Sequence, residues 1–66
     1  MIEKLYTFED KKVQIIDNKG ITWEGIVGDY CYADDEDPES IILDTSQSKY
    51  PEEFNQERIQ SIEIIR

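Results

Sequence analysis

Apolar and polar residues alternate in short runs along this chain, and the clearest run extends from Val13 to Tyr30. Over Lys12 to Asp17, Val13 and Ile15 alternate with Gln14 and the more ambiguous Ile16, the period of a half-buried strand. Asp17-Asn18-Lys19-Gly20 follows, residues that tolerate positive φ, so a tight hairpin turn is expected there. A second strand from Ile21 to about Ala33 sets Ile21, Trp23 and Val27 on one face, but Tyr30 and Tyr32 fall out of phase with them. The phase changes near Gly25 and Gly28, where the missing Cβ permits a bulge or strong bend, and a bent strand can serve two sheets at once.

Three further segments complete the pattern. Ser40 to Thr45 carries Ile41, Ile42 and Leu43; Glu53 to Asn55 is short, with Phe54 as its apolar residue; Gln60 to Ile65 carries Ile62 and Ile64 on one face, with Ile59 just before it. Loops fall at 34–39 and 45–52, the second closed by Tyr50-Pro51. At the start, Ile2, Leu5, Tyr6 and Phe8 fit either one turn of amphipathic helix or a short strand, and Lys11-Lys12 marks where the barrel proper begins. Five short antiparallel strands, one strongly bent, predict an all-β domain spanning 1–66: a small closed or nearly closed barrel, since closure removes aggregation-prone edges.

Composition narrows the function more than the fold. A chain of 66 residues buries a modest fraction of its surface, and self-association is a natural remedy for the thin stability that results. The single cysteine, Cys31, excludes an intramolecular disulfide and reads as a small apolar strand residue; with no histidine to activate it, a reactive thiol is not expected. The first residues lack the basic and apolar regions of a signal peptide, and no window approaches the roughly 20 apolar residues of a membrane span, so a soluble cytoplasmic protein is expected. Net charge is -9, divided unevenly: four lysines against six acids in 1–32, three basic residues against ten acids in 33–66. The second half therefore repels polyanions and anionic membranes.

Val13-x-Ile15-x-Asp17 and Gly20-x4-Gly25-x-Val27-x-x-Tyr30 resemble the first motif of Sm and Sm-like proteins, and Phe54-x4-Ile59-x-x-Ile62 is similar in spacing to the second. The resemblance covers about Lys12 to Ile64. It is nearest to small Sm-like proteins of Gram-positive bacteria with an acidic insertion, whose Glu-Ser-Ile and Ser-Ile-Glu-Ile are matched by Glu39-Ser40-Ile41 and Ser61-Ile62-Glu63-Ile64. It implies a strongly bent, five-stranded antiparallel barrel of the SH3 type, often preceded by a short helix, whose subunits join fourth strand to fifth strand into rings. It also implies a site for uridine-rich or adenine-rich RNA.

Residue by residue, that RNA site does not carry over. Its first Asp falls on Cys31; its stacking residue and Asn fall on Asp34 and Asp35, or on Glu39 and Ser40 if the acidic stretch is an insertion; its Arg-Gly pair falls on Asn55 and Gln56. Lysine and arginine supply phosphate contacts, and near these positions only Lys49 and Arg58 are candidates. Opposing them are five carboxylates, Asp34, Asp35, Glu36, Asp37 and Glu39, and like charges in contact cost about 1 kcal/mol per pair even in water.

Other chemistries have thinner support. The 34–39 carboxylates suit a hard cation such as calcium but lack the spaced ligands and distal Glu of an EF-hand, and a solvated loop is the simpler reading. A nucleic-acid mimic fits the charge without a regular carboxylate array. Trp23 is a conceivable stacking platform, but its strand phase places it inside the barrel. No histidine, nucleophile beside a base, phosphate loop or metal-ligand spacing suggests an enzyme, and no cofactor is expected. The sequence therefore predicts a non-enzymatic binding or assembly module, a homo-oligomer or part of a larger complex, with RNA binding as the alternative. Tyr50, Phe54, Ile62 and Ile64 are the expected partner contacts, through strand addition by the fourth and fifth segments.

Overall fold

The computed structural model of this protein describes residues 4–65. A 3-10 turn, Leu5–Phe8 (η1), precedes five strands: β1 Lys12–Asp17, β2 Thr22–Cys31, β3 Ser40–Asp44, β4 Glu52–Asn55 and β5 Ile59–Ile64. Of the two readings of the start, the helical turn is the one formed, with Leu5 buried beneath it. Ile2 lies outside the described residues. The strands form one antiparallel sheet in the order β4-β3-β2-β1-β5. No helix among the described residues is long and apolar enough to cross a membrane.

The alternation expected of β1 is realised: Val13, Ile15 and Asp17 point inward, and Gln14 and Ile16 are half-buried. In β2 the inward positions run Trp23, Gly25, Val27 and then Tyr30, so the phase skips by one, and the register with β3 shifts between Val27 and Asp29. That bulge is why Tyr30 is out of step. β2 pairs with β1 over Thr22 to Ile26 and with β3 over Ile26 to Cys31, so one bent strand does serve two halves of the sheet. Gly25 permits the bend. A Cβ there would collide with the carbonyl oxygen of Asp44 and lie 3.2 Å from Thr45 Cα.

The sheet is open but cannot be flat. β4 and β5 stand at opposite ends of the strand order, yet only residues 56–58 join them. Four inter-strand steps would put the outer strands about 19 Å apart in a flat sheet, whereas four residue steps reach at most about 14 Å. The sheet therefore curls until its two edges approach at the 56–58 turn. Inside lie Leu5, Val13, Ile15, Val27, Ile41, Leu43, Phe54 and Ile59, with Phe8, Trp23, Tyr30 and Ile62 packed around them.

The first hairpin turn is organised by Asp17. Its Oδ1 accepts bonds from the Lys19 and Ile21 amides, both 2.9 Å, and Gly20 takes the positive φ of 82° that the turn needs. Asn18 then donates its amide to the Arg58 carbonyl at 2.7 Å, fastening this turn to the one between β4 and β5.

Candidate binding site

Two clefts meet at the β4–β5 turn, with Asn55 and Arg58 common to both. The larger, about 400 Å³, lies between the end of the sheet and the acidic loop. Its floor follows from register: Cys31 pairs with Ser40 and Ser40 with Asn55, a row across β2, β3 and β4. Tyr32, Asp34, Asp37 and Glu53 add to its lining. Of the positions that the family resemblance singles out, Cys31, Asp34 and Asn55 line this opening if the acidic stretch is aligned without a gap, and Cys31, Ser40 and Asn55 line it if that stretch is an insertion. Asp35 stays out in solvent, and Gln56 turns to Glu39, donating from Nε2 to Oε2 at 3.5 Å.

The chemistry gathered there is acidic and already partly engaged. Asp34 Oδ1 accepts the Glu36 and Asp37 amides at 2.8 and 2.7 Å, and these bonds, that from Asp37 foremost, hold its carboxyl below the ordinary aspartate range. Glu53 Oε2 accepts the hydroxyl of buried Ser40 at 2.8 Å. Glu39 Oε1 accepts the Leu5 amide at 2.9 Å and the Tyr30 hydroxyl at 3.1 Å, so the last acid of the loop ties η1 to β2. Burial first, and the bond to Glu39 second, raise the Tyr30 hydroxyl above its usual range. Tyr30 meets Tyr6 and Tyr32 edge to face at 6.1 and 5.1 Å, which leaves the Tyr32 ring 83 % exposed at the cleft mouth. Among the described residues no three His, Cys, Asp or Glu side chains are placed to hold a metal ion.

Arg58, one of the two cations expected near the site, faces inward to the protein rather than outward to phosphate. Its Nη1 donates to the Glu53 carbonyl at 2.8 Å and its Nη2 to Glu52 Oε1 at 3.1 Å. The guanidinium carbon lies 4.2 Å from the Phe54 ring centroid and 5.4 Å from that of Trp23. A single side chain therefore crosses the outer flank of β4 and shields an edge carbonyl and an aromatic pair together.

The expected partner contacts divide. Tyr50 is 69 % exposed, with Lys49 Nζ 5.9 Å from its ring centroid. Ile62 and Ile64 pair with Ile15 and Val13, which sets them on the core face of the sheet, yet Ile62 is only half-buried and Ile64 is 52 % exposed. Ile62 still packs against the core, and Ile64 is left more exposed where the sheet stops at β5. Phe54 requires correction as a surface contact: its ring is fully buried, edge to face with Trp23 at 5.6 Å. Alternation explains this, since Phe54 pairs with inward Ile41. Phe54→Ala should cost about 3–5 kcal/mol of folding stability and so reports on the core, not on an interface.

Two other expectations shift. Cys31 is exposed at the end of β2 instead of packed as a small apolar residue. Trp23 is half-buried at the rim of the core, its indole N–H donating to Asp17 Oδ2 at 3.0 Å. Arg58 as a cover for β4, and Glu39 as an anchor, were not visible in the sequence; the only signal for the former was a lone cation in the turn after a glutamate-rich strand. Compared with protein-family models, curated proteins and solved structures, the chain matches none.

Proposed function

We propose that this chain is a non-enzymatic, Sm-like binding and assembly module that associates by strand addition at the outer flanks of β4 and β5. The observation that carries this reading is the open sheet. Its two edges are the fourth and fifth strands, the pair through which the family resemblance predicts subunit joining. Ile64 adds to it, as an apolar residue on the core face that the described strands leave half exposed, with Ile62 partly buried beside it. The bent second strand and the helical turn ahead of β1 support the Sm-like, barrel-like form, with closure completed by an added strand.

RNA binding is the second reading, favoured by the convergence of Cys31, Ser40 and Asn55 beside Arg58 on one cleft. Opposing it are the carboxylates of Asp34, Asp37 and Glu53 in the same cleft and the prior commitment of Arg58 to Glu52.

Amide hydrogen exchange of isotopically labelled protein in host lysate, set against buffer, tests the assembly reading. Strand addition slows exchange within Glu52–Asn55 or Ile59–Ile64. A protein that sediments as a monomer and shows no slowing at either edge rules it out. Filter binding to uridine-rich and adenine-rich oligonucleotides at two salt concentrations tests the alternative, since a true RNA complex weakens as salt rises.

A further inference from the structure

We propose that the outer flank of β4 docks an extended, basic segment of a partner protein, whose arginine or lysine side chains take the place of Arg58. The inference rests on the strand-addition reading and names the partner's chemistry for one of the two edges.

The flank already has an occupant, and its identity is informative. The Arg58 guanidinium satisfies the Glu53 carbonyl and the Glu52 carboxylate with two separate nitrogens and covers the Phe54 ring. Backbone acceptor, carboxylate and aromatic face together make a receptor for a cationic fork, and the chain fills it from its own next turn. Because the side chains of Arg58 and Glu52 are still 31 % and 26 % exposed, the pair is open to exchange with solvent. An incoming strand must take the Glu53 carbonyl from Arg58, and one that brings its own cation restores what it removes.

Charge chooses between a second copy and a different protein. A second copy would offer β5, Ile59–Ile64, which contains Glu63 and no basic residue. Laid against Glu52 and Glu53, it would set like charges beside one another without a counter-charge to replace Arg58. Because Glu52 and Glu53 point to opposite faces of β4, cations on one face of a basic strand meet Glu52, where Arg58 now lies, and those on the other reach Glu53 and the adjoining cleft, where Asp34, Asp37 and the exposed Tyr32 ring suit a cation. β4 is four residues long and offers few ladder bonds, so these side-chain contacts carry much of the selectivity.

The test uses the full chain and two ten-residue peptides, one alternating arginine with valine, the other glutamate with valine. Trp23 is the only tryptophan and lies against Arg58, so its emission reports displacement of the guanidinium. The expected result is binding of the arginine peptide alone, with a change in Trp23 emission, slowed amide exchange within Glu52–Asn55 and weakening as salt rises. Arg58→Gln should bind it several-fold tighter by removing the internal competitor, with Arg58→Lys between the two. The double variant Glu52→Gln, Glu53→Gln should bind about tenfold more weakly.

Failure of the arginine peptide to bind overturns the proposal, as does binding unaffected by the double variant and without protection of β4, which would mark diffuse attraction to the acidic loop. An Arg58→Gln protein that self-associates without gaining peptide affinity assigns the flank to a second copy instead. Any of these leaves the assembly reading standing if lysate still protects Ile59–Ile64, so the two failures are separable.

Discussion

In both the 17–21 turn and the 34–39 loop, one aspartate oxygen accepts two backbone N–H bonds from residues two to four positions ahead. The surroundings differ. Asp17 is buried, its second oxygen takes the Trp23 indole N–H, and the neighbouring Asn18 amide bonds to the Arg58 carbonyl across the molecule. Asp34 is exposed, and its bonds stay within its own loop. The same local motif is thus a structural joint in one place and a self-contained fold of the chain in the other. The Asp34 end of the loop, which is ordered by its own bonds, can change its charge at little cost to the protein, whereas Asp17, and Glu39 at the loop's far end, cannot.

Removing each aspartate is the most direct way to break this contrast. Asp17→Ala leaves two turn amides and an indole N–H without their acceptor, and its melting temperature should fall by on the order of 10 °C. Glu39→Ala comes next, at about 5 °C, because it frees the Leu5 amide and the Tyr30 hydroxyl; amide exchange across Leu5–Phe8 should quicken with it. Asp34→Ala should shift the melting temperature by no more than about 3 °C. Equal losses from Asp17→Ala and Asp34→Ala would erase the distinction between joint and loop.

Acid provides a gentler probe. Both aspartates titrate in the folded protein below the ordinary value of 3.8, Asp17 chiefly through the Trp23 bond, against some opposition from burial, and Asp34 through the Asp37 and Glu36 amides. Depressed carboxyls contribute stability that is complete above their unfolded value and is lost as pH falls through the folded one. Melting temperature should therefore decline below about pH 4, and Asp17→Asn and Asp34→Asn should each flatten that decline. The alkaline side has the opposite sign. Tyr30 is raised above 10.0, so the stability it contributes is complete below that value and is lost as pH climbs through the folded one. Tyr30→Phe, which removes the titrating hydroxyl, should flatten that limb, the smallest of these effects.

What the sequence made legible follows the range of each interaction. β1 was readable to the residue because alternation and the Asp-Asn-Lys-Gly turn bound it on local terms. The bend in β2 was readable because glycine spacing and aromatic phase carry it, although the strand ends at Cys31, short of the expected Ala33. Phe54 was misplaced because its inward direction depends on pairing with Ile41, thirteen residues earlier in the chain. The gathering of Cys31, Ser40 and Asn55 depends on the register of β2, β3 and β4, which the sequence did not reveal, and neither did it reveal the use of Arg58, since a side chain folding back over its own edge leaves no periodic trace. Glu39 was hidden for a related reason: within a run of acids, nothing local separates the one that reaches Leu5 from those that face water.

Gln47 sits outside every strand, yet its side-chain amide accepts the Glu24 amide at 2.7 Å and donates to the Thr22 carbonyl at 2.8 Å. It copies one peptide unit of a missing neighbour along the part of β2 that β3 does not reach. Exchange of that one NH2 for oxygen, as in Gln47→Glu or slow chemical ageing of the side chain, would remove the donor and set a carboxylate against a carbonyl. The Glu24 amide would keep an acceptor while the Thr22 carbonyl lost its donor, a weak point in mid-sheet that Gln47→Glu should reveal as faster amide exchange over residues 22–25.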